Sequence, residues 1–273
     1  MAIEYAAKYS GKVDERFAVA SLTNQAVNND YDFVDVNVVK VYSIPTVALG
    51  NYGTSGTSRY GTPADLQNSV QTLTLAQDKA FTFIIDSKAA DDTAGAMEAG
   101  RALRRQVDEV VIPEIDKYRL SVLATKAGKT VTGSITKSNA YDAFLDGTNA
   151  MRDAGVPETG RLCYCSPAFY KAIKQDESFI KASDVAQNML VTGSVGMVDG
   201  TNLIPVPTSY LPTGVNFIMT HKVACVGPVK LESYKIHDNP PGINGKLVEG
   251  RIRFDAFVLD SKKAAVYAHK TTA

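Results

Sequence analysis

The feature that most limits the fold of this chain is an uncommonly long helical pattern over residues 91–126. Asp91, Asp92 and Thr93 supply capping oxygens and negative charge at its start, where backbone N–H groups lack partners. Pro113 lies inside the pattern, so we expect a kink or a change of helix there. A straight helix of this length would span about 50 Å and would need a sheet or neighbouring subunits to lie against. Its apolar stripe, spaced by three or four residues, comprises Leu103, Val107, Val110, Val111, Ile115, Tyr118 and Val122.

A hairpin-like stretch precedes the long helix. Residues 36–45 form a β-like run, residues 70–75 alternate in polarity, and we expect the two runs to pair. Between them, glycines alternate with serines and threonines, a composition typical of a flexible loop. A third strand-like run, residues 81–85, then leads towards the helix. A loop of this length is uncommon in a compact domain unless it acts outside that domain.

The composition excludes several classes of protein. The 29 basic and 29 acidic side chains balance, so no bulk charge indicates a nucleic-acid or membrane partner. The sequence has no run of about 18 apolar residues, so it predicts no membrane-spanning helix. The first residues do not resemble a secretory signal. Three cysteines, two of them only two residues apart, favour synthesis in a reducing cytoplasm. The first 30 or so residues are polar and weakly patterned, which predicts an arm rather than a core element.

The chain after the long helix alternates short helices and strands, which indicates an α/β layer. Ser138 is placed to cap a helix that ends near Gly155, and Ser166 and Pro167 are placed to start another. Glycine turns at Gly196 and Gly200 lead to an apolar run. The strands we predict are 161–165, 202–207, 215–226, 230–236, 247–259 and 264–268.

This order of elements resembles that of tailed-phage major capsid proteins of the Hong Kong 97 phage type, an α+β fold. Residues 195–207 resemble the turn and strand of the family's A domain, and residues 257–266 resemble its C-terminal ending. The resemblance covers essentially the whole chain and rests on element order, since the family has no catalytic signature. It implies an N-arm at 1–34, an E-loop hairpin and entry strand at 35–90, a spine helix at 91–130, an A domain at 131–222, and P-domain closing strands with a last A-domain strand at 223–273.

The resemblance implies a structural protein with no enzymatic activity and no cofactor or metal. It would assemble with itself as hexamers and pentamers into an icosahedral virion shell around double-stranded DNA, with portal and scaffolding proteins as further partners. An encapsulin-like protein compartment and a cytoplasmic α/β hydrolase-like enzyme are the alternatives. DNA inside purified particles would separate the first two, and particle formation would separate both from the enzyme.

Two groups of residues follow as candidate sites from the resemblance. Arg101, Arg104 and Arg105 form a compact basic group that could face packaged DNA or pair with nearby acids. Some members of the family crosslink subunits through a lysine near the hairpin end, but the tip from Gly50 to Gly61 has no lysine. We expect Lys40 and Lys79 to lie at the base of the hairpin instead. The candidate intersubunit residues at the tip are Gly50, Tyr52, Gly53, Gly56, Arg59, Tyr60 and Gly61.

Other motifs resemble parts of ligand-binding or catalytic sites but lack residues that such sites require. Gly128-Lys129-Thr130 lacks the earlier glycine of a phosphate-binding loop, so we interpret it as a turn at a helix end. The spacing of Gly193, Gly196 and Gly200 does not match a dinucleotide-binding loop. Cys163 and Cys165 are interpreted as strand residues, one facing inward and one outward, and a metal site would need further ligands. Cys225 with His221 or His269 is the one nucleophile pair that the sequence offers.

Overall fold

The computed structural model describes residues 21–28, 38–43, 46–63, 65, 69–87, 99–181 and 196–272. The chain divides into two units, one of residues 30–74 and one of residues 1–29 with 75–273. The helices are α1 (Ala99–Gln106), α2 (Ile112–Thr125), α3 (Ala140–Asp153), α4 (Pro167–Gln175) and α5 (Glu177–Lys181). The strands are β1 (Val38–Ser43), β2 (Ser69–Thr74), β3 (Gln77–Asp86), β4 (Lys129–Thr132), β5 (Arg161–Cys165), β6 (Met197–Val198), β7 (Thr201–Pro205), β8 (Val215–His221), β9 (Cys225–Val226), β10 (Val229–Asp238), β11 (Gly245–Phe254), β12 (Phe257–Val258) and β13 (Val266–Lys270).

The long helix runs through α1, a π-helical turn at Val107–Val111, and α2. The N–H of Ile112 donates to the carbonyl oxygen of Val107, five residues earlier, as in a π-turn. Pro113, which has no N–H group to donate, follows directly. The predicted change of helix near Pro113 is therefore confirmed, whereas the predicted capping residues 91–93 lie outside the described residues.

The buried face of the long helix differs at one position from the predicted stripe. Leu103, Val107, Val111 and Ile115 are buried at a spacing of four residues, but Val110 is 51% exposed. The placement of Val110 on the buried stripe was wrong. The wider π-turn shifts the phase of the helix, so positions four apart stay on one face across it.

The long helix packs against a three-stranded antiparallel sheet ordered β10-β11-β3. Alternate residues of β11, from Val248 to Phe254, face the helix and are buried. Gly250 belongs to this set because the ring of Phe81 crosses it: a Cβ there would lie 2.4 Å from Phe81 Cζ. The strand predicted at 230–236 is confirmed as β10, whereas the strand predicted at 247–259 ends at Phe254 and is followed by the separate short strand β12.

A six-stranded sheet, ordered β4-β13-β8-β5-β7-β6, forms the second layer of this unit. α3 and α4 cover one face of the sheet. Residues of α2 pack on the opposite face. Because both faces are covered, all five residues of β5 are buried, and the predicted strand 161–165 is confirmed.

The starts of the helices beside this sheet are fixed by side-chain caps. The hydroxyl of Ser166 accepts from the Phe169 N–H at 3.2 Å, as predicted. Asn139 occupies the N-cap position of α3 without a capping hydrogen bond from its side chain, so the prediction that Ser138 caps this helix was wrong. Buried Asp176 accepts from the N–H groups of Tyr141 and Ser178 at 3.1 and 2.9 Å, so one carboxylate stabilises the starts of α3 and α5.

The smaller unit contains the predicted hairpin. β1 and β2 pair antiparallel from Val38 opposite Thr74 to Ser43 opposite Ser69. Residues 36, 37, 44 and 45 of the predicted strand lie outside the described residues. The pairing itself is confirmed.

Candidate assembly surfaces

The hairpin tip has hydrogen bonds of its own. The Gly53 N–H donates to the Arg59 carbonyl oxygen at 2.9 Å, and the Arg59 Nε donates to the Gly56 carbonyl oxygen at 3.1 Å. The rings of Tyr52 and Tyr60 meet edge to face with centroids 5.0 Å apart. Gly56 has φ +85°, a conformation that favours glycine. The tip is therefore a folded turn. It is closed by the hydrogen bond from Gly53 to Arg59, which we call the crossing hydrogen bond, and by the contact between two aromatic rings.

Six of the ten large apolar side chains that are exposed among the described residues belong to the hairpin unit. Tyr60 is 93% exposed, and Leu49 is exposed completely. Contiguous exposed apolar groups in a soluble protein usually mark an interaction surface. The exposed large apolar residues of this unit are Tyr42, Val47, Leu49, Tyr52, Tyr60 and Val70.

Lysines are absent from residues 46–68. Lys40 lies in β1 opposite Thr72, at the base of the hairpin as expected. Lys79 does not lie there: it belongs to β3 and donates to the Glu114 carboxylate on the long helix. The placement of Lys79 in the hairpin was therefore wrong, because β2 ends at Thr74 and β3 starts another sheet.

The basic group Arg101, Arg104 and Arg105 lies on the exposed side of α1. Arg105 Nε donates to Glu109 Oε1 at 2.8 Å, an ion pair between residues four apart on the helix. Such an exposed pair contributes little to stability because water screens it. All three arginines are therefore exposed on the same helix surface, and Arg105 pairs with Glu109 of the same helix.

A buried carboxylate holds residues 21–28 against the long helix, which the sequence analysis missed. Asp116 Oδ1 accepts from the hydroxyls of Ser21 and Thr23 at 2.6 and 2.5 Å, and Asp116 Oδ2 accepts from the Leu22 N–H at 3.0 Å. Asp116 is 1% exposed. For residues 21–28 the prediction of an arm outside the core was wrong; residues 1–20 and 29–34 lie outside the described residues.

Arg119, one helical turn after Asp116, supports the same segment from the other side. Its guanidinium donates to Thr23 Oγ1 at 3.2 Å and to the Gly227 carbonyl oxygen at 2.8 Å. Burial lowers the pKa of Arg119, and Asp116 opposes that effect. The Tyr164 hydroxyl donates to the Leu22 carbonyl oxygen at 3.1 Å. Together these contacts fix the backbone where the chain enters the core.

A sequence signal for this anchor does exist. Asp116 lies four residues after Ile112 and four before Leu120, and both neighbours are buried. Charged residues in a row of buried positions require partners from another segment, since an unpaired buried charge is costly. The position of Asp116 therefore predicts a polar partner, although it does not say which segment supplies it.

The cysteine interpretation needs one correction. Cys163 and Cys165 both lie under α3 and α4, because residues two apart in a strand share a face. The expectation that one faces outward was wrong. Burial raises the pKa of Cys165 to about 12 and that of Cys225 to about 11, which keeps both as unreactive thiols.

The histidines considered as partners of Cys225 make other hydrogen bonds. His221 Nε2 lies 3.0 Å from the Thr159 carbonyl oxygen, and His221 Nδ1 accepts from the Val223 N–H. His269 Nδ1 lies 3.1 Å from Asn216 Nδ2. Neither ring is therefore arranged to activate the thiol of Cys225.

The glycine motifs also have structural roles. Lys129 and Thr130 start β4, so the turn predicted there covers only Gly128 and the residues before it. Asp199 and Gly200 have φ +46° and +74° and form the turn between β6 and β7, as predicted, while Gly193 lies outside the described residues. Across the described ranges, no His, Cys, Asp or Glu cluster could hold a metal. No helix among those ranges is long and apolar enough to cross a membrane.

The family model of phage capsid proteins matches residues 67–268. This chain belongs to the phage capsid protein family. The match begins before β2 and ends in β13, so it includes the long helix and both larger sheets. The chain is a capsid shell protein, and the virion capsid is its location. Among curated proteins, no sequence matches it.

Solved structures agree with this fold. The chain is similar to a structure from Mycobacterium phage Che8, with 17% identity, 91% of this chain and 90% of that chain covered, and a TM-score of 0.74. A capsid structure of the cyanophage P-SCSP1u gives 12% identity, coverage of 88% and 85%, and a TM-score of 0.69. The predicted α+β capsid fold is confirmed. A virus-like particle from Pyrococcus furiosus aligns less well, with 13% identity, coverage of 98% and 100%, and a TM-score of 0.53.

Proposed function

We propose that many copies of this chain assemble, as hexamers and pentamers, into a closed icosahedral shell around the double-stranded DNA of a tailed phage. The observation that carries this proposal is the capsid family match across residues 67–268, which includes the long helix and both larger sheets. Closed symmetry lets each surface find its partner without unlimited growth. The role is structural, without enzymatic activity or a cofactor.

The hairpin tip is the proposed contact with a neighbouring subunit. Its exposed apolar side chains would lose contact with water on a partner, which favours association by roughly 25 cal/mol per Å² of apolar surface buried. The crossing hydrogen bond at Gly53 preorganises the turn and lowers the entropy cost of docking. The residues proposed for this contact are Gly50, Tyr52, Gly53, Gly56, Arg59, Tyr60 and Gly61.

Arg101, Arg104 and Arg105 are proposed to face the packaged DNA. Their exposure supports this role, and phosphate neutralisation by arginine requires no base-specific geometry. The Arg105–Glu109 pair reduces the charge of the group, so its contribution should be modest. We also propose synthesis in the host cytoplasm and assembly with portal and scaffolding proteins.

Electron microscopy of the purified chain tests the central proposal. Closed particles should form at high protein concentration, with or without a scaffolding protein. A chain that stays monomeric at every salt concentration and pH would contradict the proposal. DNA inside particles purified from infected cells would favour a virion over a compartment that holds protein cargo.

The proposed shell is held together without covalent crosslinks. The tip offers only Arg59 as a cation, and its guanidinium stays protonated and cannot act as an amine nucleophile. Lys79 belongs to another sheet and pairs with Glu114 of the long helix. Mature particles boiled in denaturing detergent should therefore run as one band near 29.3 kDa. A ladder of covalent oligomers that survives reducing agent would contradict this.

A further inference from the structure

Lysines gather where the long helix ends and the six-stranded sheet begins. The Gly128 N–H donates to the carbonyl oxygens of Lys263 and Val266 at 3.1 and 3.0 Å. A Cβ at position 128 would lie 2.3 Å from the Lys263 carbonyl oxygen, so the two backbones are in close contact. The lysines brought close together by this contact are Lys126, Lys129, Lys262 and Lys263.

A fifth lysine comes from the end of β8. The Leu259 N–H donates to the Ala224 carbonyl oxygen at 3.0 Å, and Val266 pairs with Thr220. The turn between residues 259 and 266 therefore spans the end of β8, where Lys222 is exposed. We call these five residues the lysine patch.

Acidic residues are scarce in the segments that build the lysine patch. Residues 117–141 and 200–231 contain no Asp or Glu, and residues 256–273 contain only Asp260. Asp260 Oδ1 lies 2.5 Å from Lys263 Nζ, so that pair is locally neutral. The chain as a whole has no net charge. These three segments therefore carry a local excess of positive charge in a chain that is neutral overall.

The residue types of the lysine patch favour a polymeric phosphate over a protein partner. Lysine is depleted in protein interfaces, which are rich in aromatic residues and arginine. Among the described residues of these three segments, no large apolar side chain is exposed. Flexible ammonium groups can follow a phosphate backbone without a fixed geometry. A sequence-independent contact with nucleic acid uses this chemistry.

We propose that the lysine patch binds the phosphate backbone of double-stranded DNA independently of sequence. This surface is separate in sequence from Arg101, Arg104 and Arg105. The inference rests on the proposed function only for the identity of its partner, the enclosed genome. The binding itself is a property of the single chain.

The test measures the salt dependence of DNA binding by the unassembled chain. Fluorescence anisotropy of a labelled duplex is followed between about 50 and 200 mM salt, with light scattering to verify that shells are absent. If each of four lysines displaces one counterion, their loss should reduce the slope of log K against log salt by about 3.6, or about 150-fold over this fourfold range. The test variant is Lys126→Gln, Lys129→Gln, Lys222→Gln and Lys262→Gln. The control variant is Lys137→Gln, Lys171→Gln, Lys235→Gln and Lys246→Gln, which loses the same charge at exposed lysines that do not belong to the lysine patch.

Two results would overturn the inference. One is a slope that falls equally in both variants, which would make the effect one of total charge. The other is tighter binding of the parent to a poly-glutamate peptide than to the duplex, which would assign the patch to an acidic protein. Circular dichroism verifies that both variants fold. Shell formation is scored separately by microscopy, so a chain that binds DNA but forms no shell would count against the proposed function alone.

Discussion

Neither residues 21–28 nor the hairpin tip has regularly spaced apolar residues in the sequence, yet the environments of the two segments differ. Residues 21–28 contribute Thr23 and Ala26 to the interior and are held by Asp116 and Arg119. The tip directs Tyr60 and its neighbours into solvent and bonds mainly to itself. Composition therefore does not separate a segment that completes a core from one that stays exposed. The two segments differ because the buried charges of Asp116 and Arg119 bind residues 21–28.

The largest expected effect comes from breaking the anchor of residues 21–28. Asp116→Ala leaves Arg119 buried without its counter-charge and removes the acceptor of two hydroxyls. We expect a loss of about 3–5 kcal/mol in the free energy of unfolding, measured by urea denaturation. Glu114→Gln on the same helix, which breaks only a half-exposed pair with Lys79, should cost at most about 1 kcal/mol. If the two variants lose the same stability, the anchor is not what holds this segment.

Removing one tyrosine hydroxyl should have a smaller effect on stability, and this effect should differ between the anchor of residues 21–28 and the hairpin tip. Tyr164→Phe removes the hydroxyl that donates to the Leu22 carbonyl oxygen and should cost about 1 kcal/mol in the free energy of unfolding. Tyr60→Phe makes the same change on an exposed ring at the tip and should cost close to nothing. Thermal and urea denaturation of both variants measure the difference. Equal losses would show that the tip contributes to the folded subunit.

Deleting Gly50 to Gly61 and closing the hairpin with a tight turn should change the free energy of unfolding by less than Tyr164→Phe does. The tip is exposed, and shortening a loop alters its closure entropy only slightly. Assembly into particles should nevertheless be impaired. Circular dichroism and electron microscopy measure the two outcomes, with Ser55→Ala and Thr57→Ala together as a control of unchanged length. Global unfolding of the deletion variant would contradict the intersubunit role.

The smallest effect is a pH dependence on the outer face of the three-stranded sheet. Hydrogen bonds from Arg251, supported by Arg253, lower the pKa of Asp78 to about 2 from an ordinary value near 3.8. The folded state thus favours the carboxylate, and its stabilisation is present above about pH 4 and lost as the pH falls towards 2. Asp78 is 41% exposed, so solvent screening keeps the effect small.

Melting temperatures of the parent and Asp78→Asn measure this effect across the acidic range. The difference between them should shrink as the pH falls from 4 to 2, and added salt should reduce it at neutral pH. A difference that grows in acid would contradict the assigned ion pairs.

Much of the fold was predictable because it depends on local patterns. The alternation in β2, the cap at Ser166 and the proline in the long helix each indicate structure within a few residues. The errors arose where the position of a residue depends on more than the local sequence pattern. Val110 is exposed because a π-turn shifts the helix, and Lys79 belongs to a sheet completed by strands more than 140 residues later.

The same division holds for the candidate surfaces. The sequence alone determined the order of the elements, the absence of lysine from the tip and the scarcity of acids in three separate segments. Only the tertiary structure decided that two of those segments meet at Gly128, that the third joins them through the Leu259–Ala224 hydrogen bond, and that Asp116 faces Ser21 and Thr23. The reason is physical: helix and strand periodicity act over neighbouring residues, whereas the burial of a charge depends on which remote backbone can supply its hydrogen bonds.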